Sequence, residues 1–135
     1  MSEENVALAR KAIEALNRAD FDALLALLSP GVVWDALEGV SGIGHLYRGR
    51  EGVREWIELM LENMEEGVHI DIDQMADLGD DRIIIAVVFT ARHKGSGVPF
   101  ELRNWQILWF ADGLITRRQI FWTRAEALQA AGLPE

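Results

Sequence analysis

The order of elements predicts an α+β fold, with helices packed on one face of a curved antiparallel sheet. Three observations carry that expectation. Up to about residue 65, apolar side chains recur at helical spacing. From Gly67 onward the pattern changes to strand-like alternation. The stretch Glu101–Arg124 then reads as two long strands joined at Asp112-Gly113, an Asp-Gly turn between apolar runs.

In chain order, Ser2 can cap a first helix that opens with Glu3 and Glu4, where carboxylates suit the positive helix end. Val6, Ala9, Ile13 and Leu16 mark its buried stripe. Asp20 can cap a second, shorter helix with Phe21, Leu24, Leu25 and Leu28 on one face, stopped by Pro30-Gly31. Val32–Asp35 reads as a short strand. Ala36–Arg48 is glycine-rich and irregular, the kind of loop that carries function on a rigid scaffold. A third helix is expected over about Glu51–Glu65, with Val53, Trp56, Ile57, Met60, Leu61 and Met64 on one stripe. Strands follow at His69–Leu78 and Arg82–His93, turned by Gly79-Asp80-Asp81 and Lys94-Gly95-Ser96-Gly97. The opening hairpin completes the meander. Thr123-Arg124-Ala125-Glu126 has capping-box spacing for a terminal helix that Gly132 ends.

A chain of 135 residues, half of them hydrophobic, suits one domain over 1–135 with its own core. The longest strongly apolar run, Ile83–Phe89, is far short of a membrane span. The acidic MSEEN start lacks an apolar signal region, which points to a cytoplasmic protein. There is no cysteine, hence no disulfide or thiol chemistry. A net charge of −9 argues against a nucleic-acid partner. The three histidines, His45, His69 and His93, are widely spaced and share no ligand motif, so no metal site is expected.

Alternation along the first hairpin strand puts Leu102, Asn104, Gln106, Leu108 and Phe110 on one face, and Arg103, Trp105, Ile107 and Trp109 on the other. Neither face suits water, so the sheet must be covered twice. Asn104 and Gln106 lie among apolar neighbours; such amides need partners in a closed core, or can meet a ligand in a cavity. Trp34, Trp56, Met60, Met64 and Trp122 can line an aromatic cavity for a flat apolar ligand, or simply be core.

The segments ADFDALLALLSPGVVWD, YRGREGVREW, DDRIII and FADGLITRRQIFWTRAEALQAAGL resemble a SnoaL-like domain of the nuclear-transport-factor-two-like superfamily. The resemblance spans nearly the whole chain and implies a cystatin-like cone, in which a curled sheet and helices enclose a pocket. It also implies that the outer sheet face pairs with a second subunit, here a homodimer through Trp105, Ile107 and Trp109. It turns Asn104, Gln106, Leu108, Arg118, Ile120 and Trp122 toward the pocket. The fold hosts isomerases, cyclases, epoxide hydrolases and non-catalytic domains, so it does not itself name an activity.

Asp35 falls where ketosteroid isomerase-like members hold a general-base aspartate, and a carboxylate in an apolar pocket can move a proton beside a carbonyl. Its alternative role is to cap the following loop. Gln106 matches the position of an oxyanion-stabilising acid, where an amide can donate more weakly. The isomerases' tyrosine position corresponds to Ala12, a departure from true ketosteroid isomerases. The epoxide-hydrolase Asp-Arg-Asp positions correspond to Val87, Phe89 and Ile120, all apolar, so that chemistry is not expected. Arg118 can bind a carboxylate, phenolate or enolate oxygen or pair with Asp35; a register slip of one residue would instead turn Arg117 inward. His45 and Tyr47 lie in the glycine-rich loop near the expected pocket mouth, His45 as a possible auxiliary acid or base.

These readings converge on a cofactor-independent enzyme acting on a hydrophobic or polycyclic carbonyl compound by proton transfer, as in isomerisation or aldol-type cyclisation. Asp35 is the base, with Gln106 or Arg118 as oxyanion partner. The competing reading is a non-catalytic binding domain for a lipophilic ligand. A third is an interaction scaffold built on the outer aromatic face.

Overall fold

The computed structural model describes residues 2–36, 46–63 and 68–134. Helix α1 (Ser2–Asn17) has Glu3 and Glu4 in its first turn and buries Ala9, Ala12, Ile13, Ala15 and Leu16. Helix α2 (Phe21–Ala26) is capped by Asp20, whose side chain accepts from the Ala23 N–H at 3.2 Å. It buries Leu24 and Leu25. Helix α3 (Gly49–Asn63) begins two residues before the expected Glu51 and buries Val53, Trp56, Ile57 and Met60. The side chain expected at Met64 lies outside the described residues. Among the described residues no helix is long and apolar enough to cross a membrane.

Strand β1 (Leu28–Asp35) corrects the sequence reading. Pro30-Gly31 does not end α2, which stops at Ala26, but lies exposed inside the strand. The β1–β6 pairing is irregular between Leu28 and Val33, so the missing proline N–H falls where the ladder is already broken. Strand β2 (Leu46–Arg48) gives regular structure to the end of the segment expected to be irregular; it pairs antiparallel with β1, Trp34 opposite Tyr47. Arg50 ties the start of α3 to β1 by donating from Nε and Nη2 to the Leu28 carbonyl, at 2.9 and 2.7 Å.

The remaining strands are β3 (His69–Gly79), β4 (Arg82–Arg92), β5 (Pro99–Ala111) and β6 (Leu114–Phe121). They complete a six-stranded sheet in the order β2-β1-β6-β5-β4-β3. All its pairings are antiparallel except β1 with β6. The Asp112-Gly113 turn has φ of 52° and 74°, two successive left-handed residues as a hairpin matched to strand twist requires.

The main core joins α1–α3 to Val32, Trp34, Ile83, Ile85, Val87, Leu108, Phe110 and Ile115 of the sheet. This is the inner face. Helix α4 (Arg124–Ala131) covers the other one. Its capping box is formed: Thr123 Oγ1 accepts from the Glu126 N–H, and Glu126 Oε1 accepts from the Thr123 N–H, both at 3.2 Å. Gly132 ends it at φ 77°. Ala127, Leu128 and Ala131 are buried there, and the Ala131 carbonyl accepts from Arg82 Nη1 at 3.2 Å.

That placement corrects the outer-face reading. Ile107, expected at a subunit interface, is 0 % exposed within the single chain. Trp105 and Trp109 are half-buried. The chain covers much of its own outer face with its last helix.

A candidate ligand site on the inner sheet face

The site is built where β1, β6 and β5 run side by side. Trp34 lies beside Arg118, and Arg118 opposite Leu108. The inward turn of Arg118 has a specific cause. Between Arg117, opposite Trp109, and Ile115, opposite Phe110, β6 carries an extra residue, Thr116. This bulge shifts the alternation by one. Ile115 and Arg118 therefore share the inner face three residues apart, while Arg117 is exposed.

Arg118 is 5 % exposed. Its Nε and Nη2 donate to the backbone carbonyl of Asp35 at 3.1 and 2.6 Å. The guanidinium carbon lies 4.2 Å from the Trp34 ring centroid and 4.9 Å from that of Trp56. These rings are tilted at 55° with centroids 5.5 Å apart. A desolvated cation over an aromatic face gains about 2 kcal/mol, which offsets part of the burial cost. Burial pushes the guanidinium down to about 9, opposed by the negative charge of Asp35. At neutral pH Arg118 is therefore still a cation. Packing against the two indoles fixes its direction, and both bonds leave Nη1 free of the Asp35 carbonyl.

Next to it, Gln106 and Asn104 are both buried, and Gln106 Nε2 donates to Asn104 Oδ1 at 3.1 Å. The amides thus partner each other, with one Gln106 N–H used and the other remaining. Gln106 lies opposite Ile120 on β6 and Ile85 on β4, one step diagonal from Arg118. Trp34 is 2 % exposed, and its Nε1 has no hydrogen-bond partner among the described residues.

Several expected site residues gather here. Asp35 ends β1 half-buried beside Arg118. Trp34, Trp56, Met60 and Leu108 belong to the same buried cluster, as does Tyr47. Tyr47 packs on the start of α3, where a Cβ on Gly52 would come within 3.3 Å of its backbone. Ile120 is half-buried. Trp122 departs from the expectation: it lies one residue beyond the end of β6 and is 42 % exposed. His45 lies outside the described residues. Two features escaped the sequence reading. One is the unpartnered Trp34 N–H. The other is the Asp35 carbonyl, rather than its carboxylate, as the acceptor that orients Arg118. A main-chain acceptor leaves no trace in residue identity. Among the described residues no group of three or more His, Asp or Glu side chains could hold a metal ion.

Comparison with known proteins matches residues 9–118 to the SnoaL-like domain family. No curated protein matches the chain. Among solved structures, an NTF2-like protein of unknown function from Burkholderia pseudomallei is 24 % identical, with TM-score 0.80 over 96 % of this chain and 97 % of that one. TerC, co-crystallised with polyporic acid, is 17 % identical, with TM-score 0.78 over 96 % and 98 %. A Mycobacterium tuberculosis protein in complex with estradiol-17β-hemisuccinate is 16 % identical, with TM-score 0.76 over 90 % and 95 %. At these identities the likeness is one of fold, with helices against a curled sheet.

Proposed function

The chain belongs to the SnoaL-like domain family, and on that premise we propose that it is a cofactor-independent enzyme for a hydrophobic or polycyclic carbonyl compound. The observation that carries this reading is a buried cation packed against two indoles, directly beside an aspartate. Asp35 takes a proton from the carbon next to the substrate carbonyl. The electron pair moves onto the carbonyl oxygen, and the resulting enolate meets the Arg118 guanidinium, with the remaining Gln106 N–H as second donor. Isomerisation returns the proton to another carbon; aldol-type cyclisation joins the enolate carbon to a second carbonyl, whose oxygen takes up the proton. His45 is proposed as an auxiliary acid or base. The structural relatives' complexes with polyporic acid and with a steroid hemisuccinate support a pocket for such ligands.

The test is turnover of a panel of polycyclic ketones by the wild type and by Asp35→Asn, which keeps size and most hydrogen bonding but removes the proton acceptor. Turnover by the wild type that Asp35→Asn abolishes supports the reading. Ligand binding without turnover would make the chain a lipophilic-ligand binding domain.

We further propose a homodimer through the outer sheet face. Trp105 lines a groove of about 480 Å³ there, together with Ile84, Ala86, Leu128 and Leu133. Leu133 is 41 % exposed. Light scattering at micromolar concentration tests it, and a monomer would overturn it.

A further inference from the structure

Trp34 carries the one buried side-chain polar atom that lacks a hydrogen-bond partner among the described residues, its indole Nε1. A buried N–H without an acceptor costs about as much as a lost hydrogen bond, and folded proteins keep few of them. If only packing were needed at this position, phenylalanine would fill most of the space without that cost. The groups stacked on the indole cannot supply the acceptor. Arg118 is 4.2 Å from the ring, and a guanidinium has only donors. Trp56, with its ring 5.5 Å away, offers one N–H and no acceptor.

Further donors lie along the same inner face. Arg118 spends Nε and Nη2 on the Asp35 carbonyl, which leaves Nη1. Gln106 spends one N–H on Asn104 Oδ1. An oxygen placed against Trp34 meets the indole N–H, and a hydrocarbon leaves it unsatisfied.

We infer that Trp34 is a ligand-contacting hydrogen-bond donor, and that the site selects flat polycyclic ligands with a carbonyl or enolate oxygen able to accept from its indole N–H. The inference rests on the inner face being the ligand site and deepens that reading. It names the atom that separates a ketone from a hydrocarbon of the same shape.

The test uses 9-fluorenone and fluorene, which share a ring frame and differ by one carbonyl. Binding is measured for the wild type, for Trp34→Phe, and for protein with Trp34 replaced by 3-benzothienylalanine, which has the indole's shape but no N–H. The last variant keeps the test valid where phenylalanine underfills the core. The wild type is expected to prefer fluorenone. Loss of the N–H lowers fluorenone affinity about five- to tenfold, the range for one hydrogen bond, and leaves fluorene affinity unchanged. In wild-type protein with nitrogen-labelled indoles, fluorenone moves one indole N–H resonance downfield and fluorene does not. Equal affinity of wild type and variant for fluorenone, or equal losses for both ligands, overturns the role of Trp34 while leaving the site reading intact. If neither compound binds the wild type, both readings fall.

Discussion

Two tryptophan–arginine pairs sit on opposite faces of one sheet. On the outer face, Arg82 lies 5.2 Å from the Trp109 ring. On the inner face, Arg118 lies 4.2 Å from the Trp34 ring. The outer pair is fully settled: Trp109 Nε1 donates to Gln119 Oε1 at 2.9 Å, and Arg82 donates to the carbonyl that ends α4. Both residues keep some contact with solvent. The inner pair is desolvated, and the indole N–H is left over. Identical side-chain chemistry therefore does structural work on one face and leaves capacity for a ligand on the other. The difference lies in how many polar atoms each environment satisfies.

The sharpest way to break this contrast is at Asp35. Asp35→Asn should lower turnover by roughly 10²- to 10⁴-fold, the range for losing a positioned base, with little change in melting temperature. A large fall in melting temperature with activity per folded molecule intact would make Asp35 a loop cap. Next in size is the exchange of each arginine for leucine. Arg118→Leu should weaken anionic aromatic ligands by roughly 10- to 100-fold, as loss of a charge-assisted bond does, while sparing neutral ones. Arg82→Leu should leave both affinities unchanged. Titration calorimetry on the two variants with 2-naphthoate and naphthalene checks this.

Proton linkage separates the faces in a second way. Burial depresses Arg118 from the ordinary arginine range to about 9. Below pH 9 both folded and unfolded chains hold the proton, so this group gives stability no slope around neutrality. Above about 9, and until the unfolded arginine itself titrates, the unfolded chain binds more protons, so the cost of burying the cation is relieved and this contribution to stability rises with pH. Anion affinity moves the opposite way: flat from pH 6 to 8, then falling as pH passes about 9. An affinity profile of 2-naphthoate against pH, compared with denaturant midpoints, reads both signs. The smallest effect is expected at the outer cap. Thr123→Ala removes a capping-box partner of α4 and should cost about 1 kcal/mol in chemical denaturation, with ligand affinity unaltered.

Much of the scaffold was legible because local signals and tertiary structure agree. The apolar stripe of α1, the Asp20 cap, the Asp112-Gly113 turn and the Thr123 capping box each have a mechanism confined to a few residues. The misses have non-local causes. Pro30-Gly31 has the form of a helix stop, yet the broken register of β1 against β6 lets it sit in a strand. The outer face read as open because nothing in the eight residues of α4 says which side of the sheet it will cover. At the site, alternation grouped Asn104, Gln106 and Leu108 correctly on one face. The choice between Arg117 and Arg118 stayed open because it depends on a bulge in β6 that only pairing with β5 defines. The hydrogen bond that aims Arg118 ends on backbone, where every residue looks alike.

The bulge at Thr116 has a consequence for how sequence drift acts on the site. Were β6 to pair regularly past Ile115, Arg117 would take the place opposite Leu108 that Arg118 now holds. Both of these phases thus deliver a guanidinium to the interior. Removing Thr116 would take out only the surplus residue and keep Arg118 opposite Leu108. Doubling the arginine protects the interior charge against a shift in one direction, as from a one-residue insertion in the preceding turn; the opposite shift would bring Gln119 inward and lose it. The angle at which that charge meets the indoles has no such spare copy.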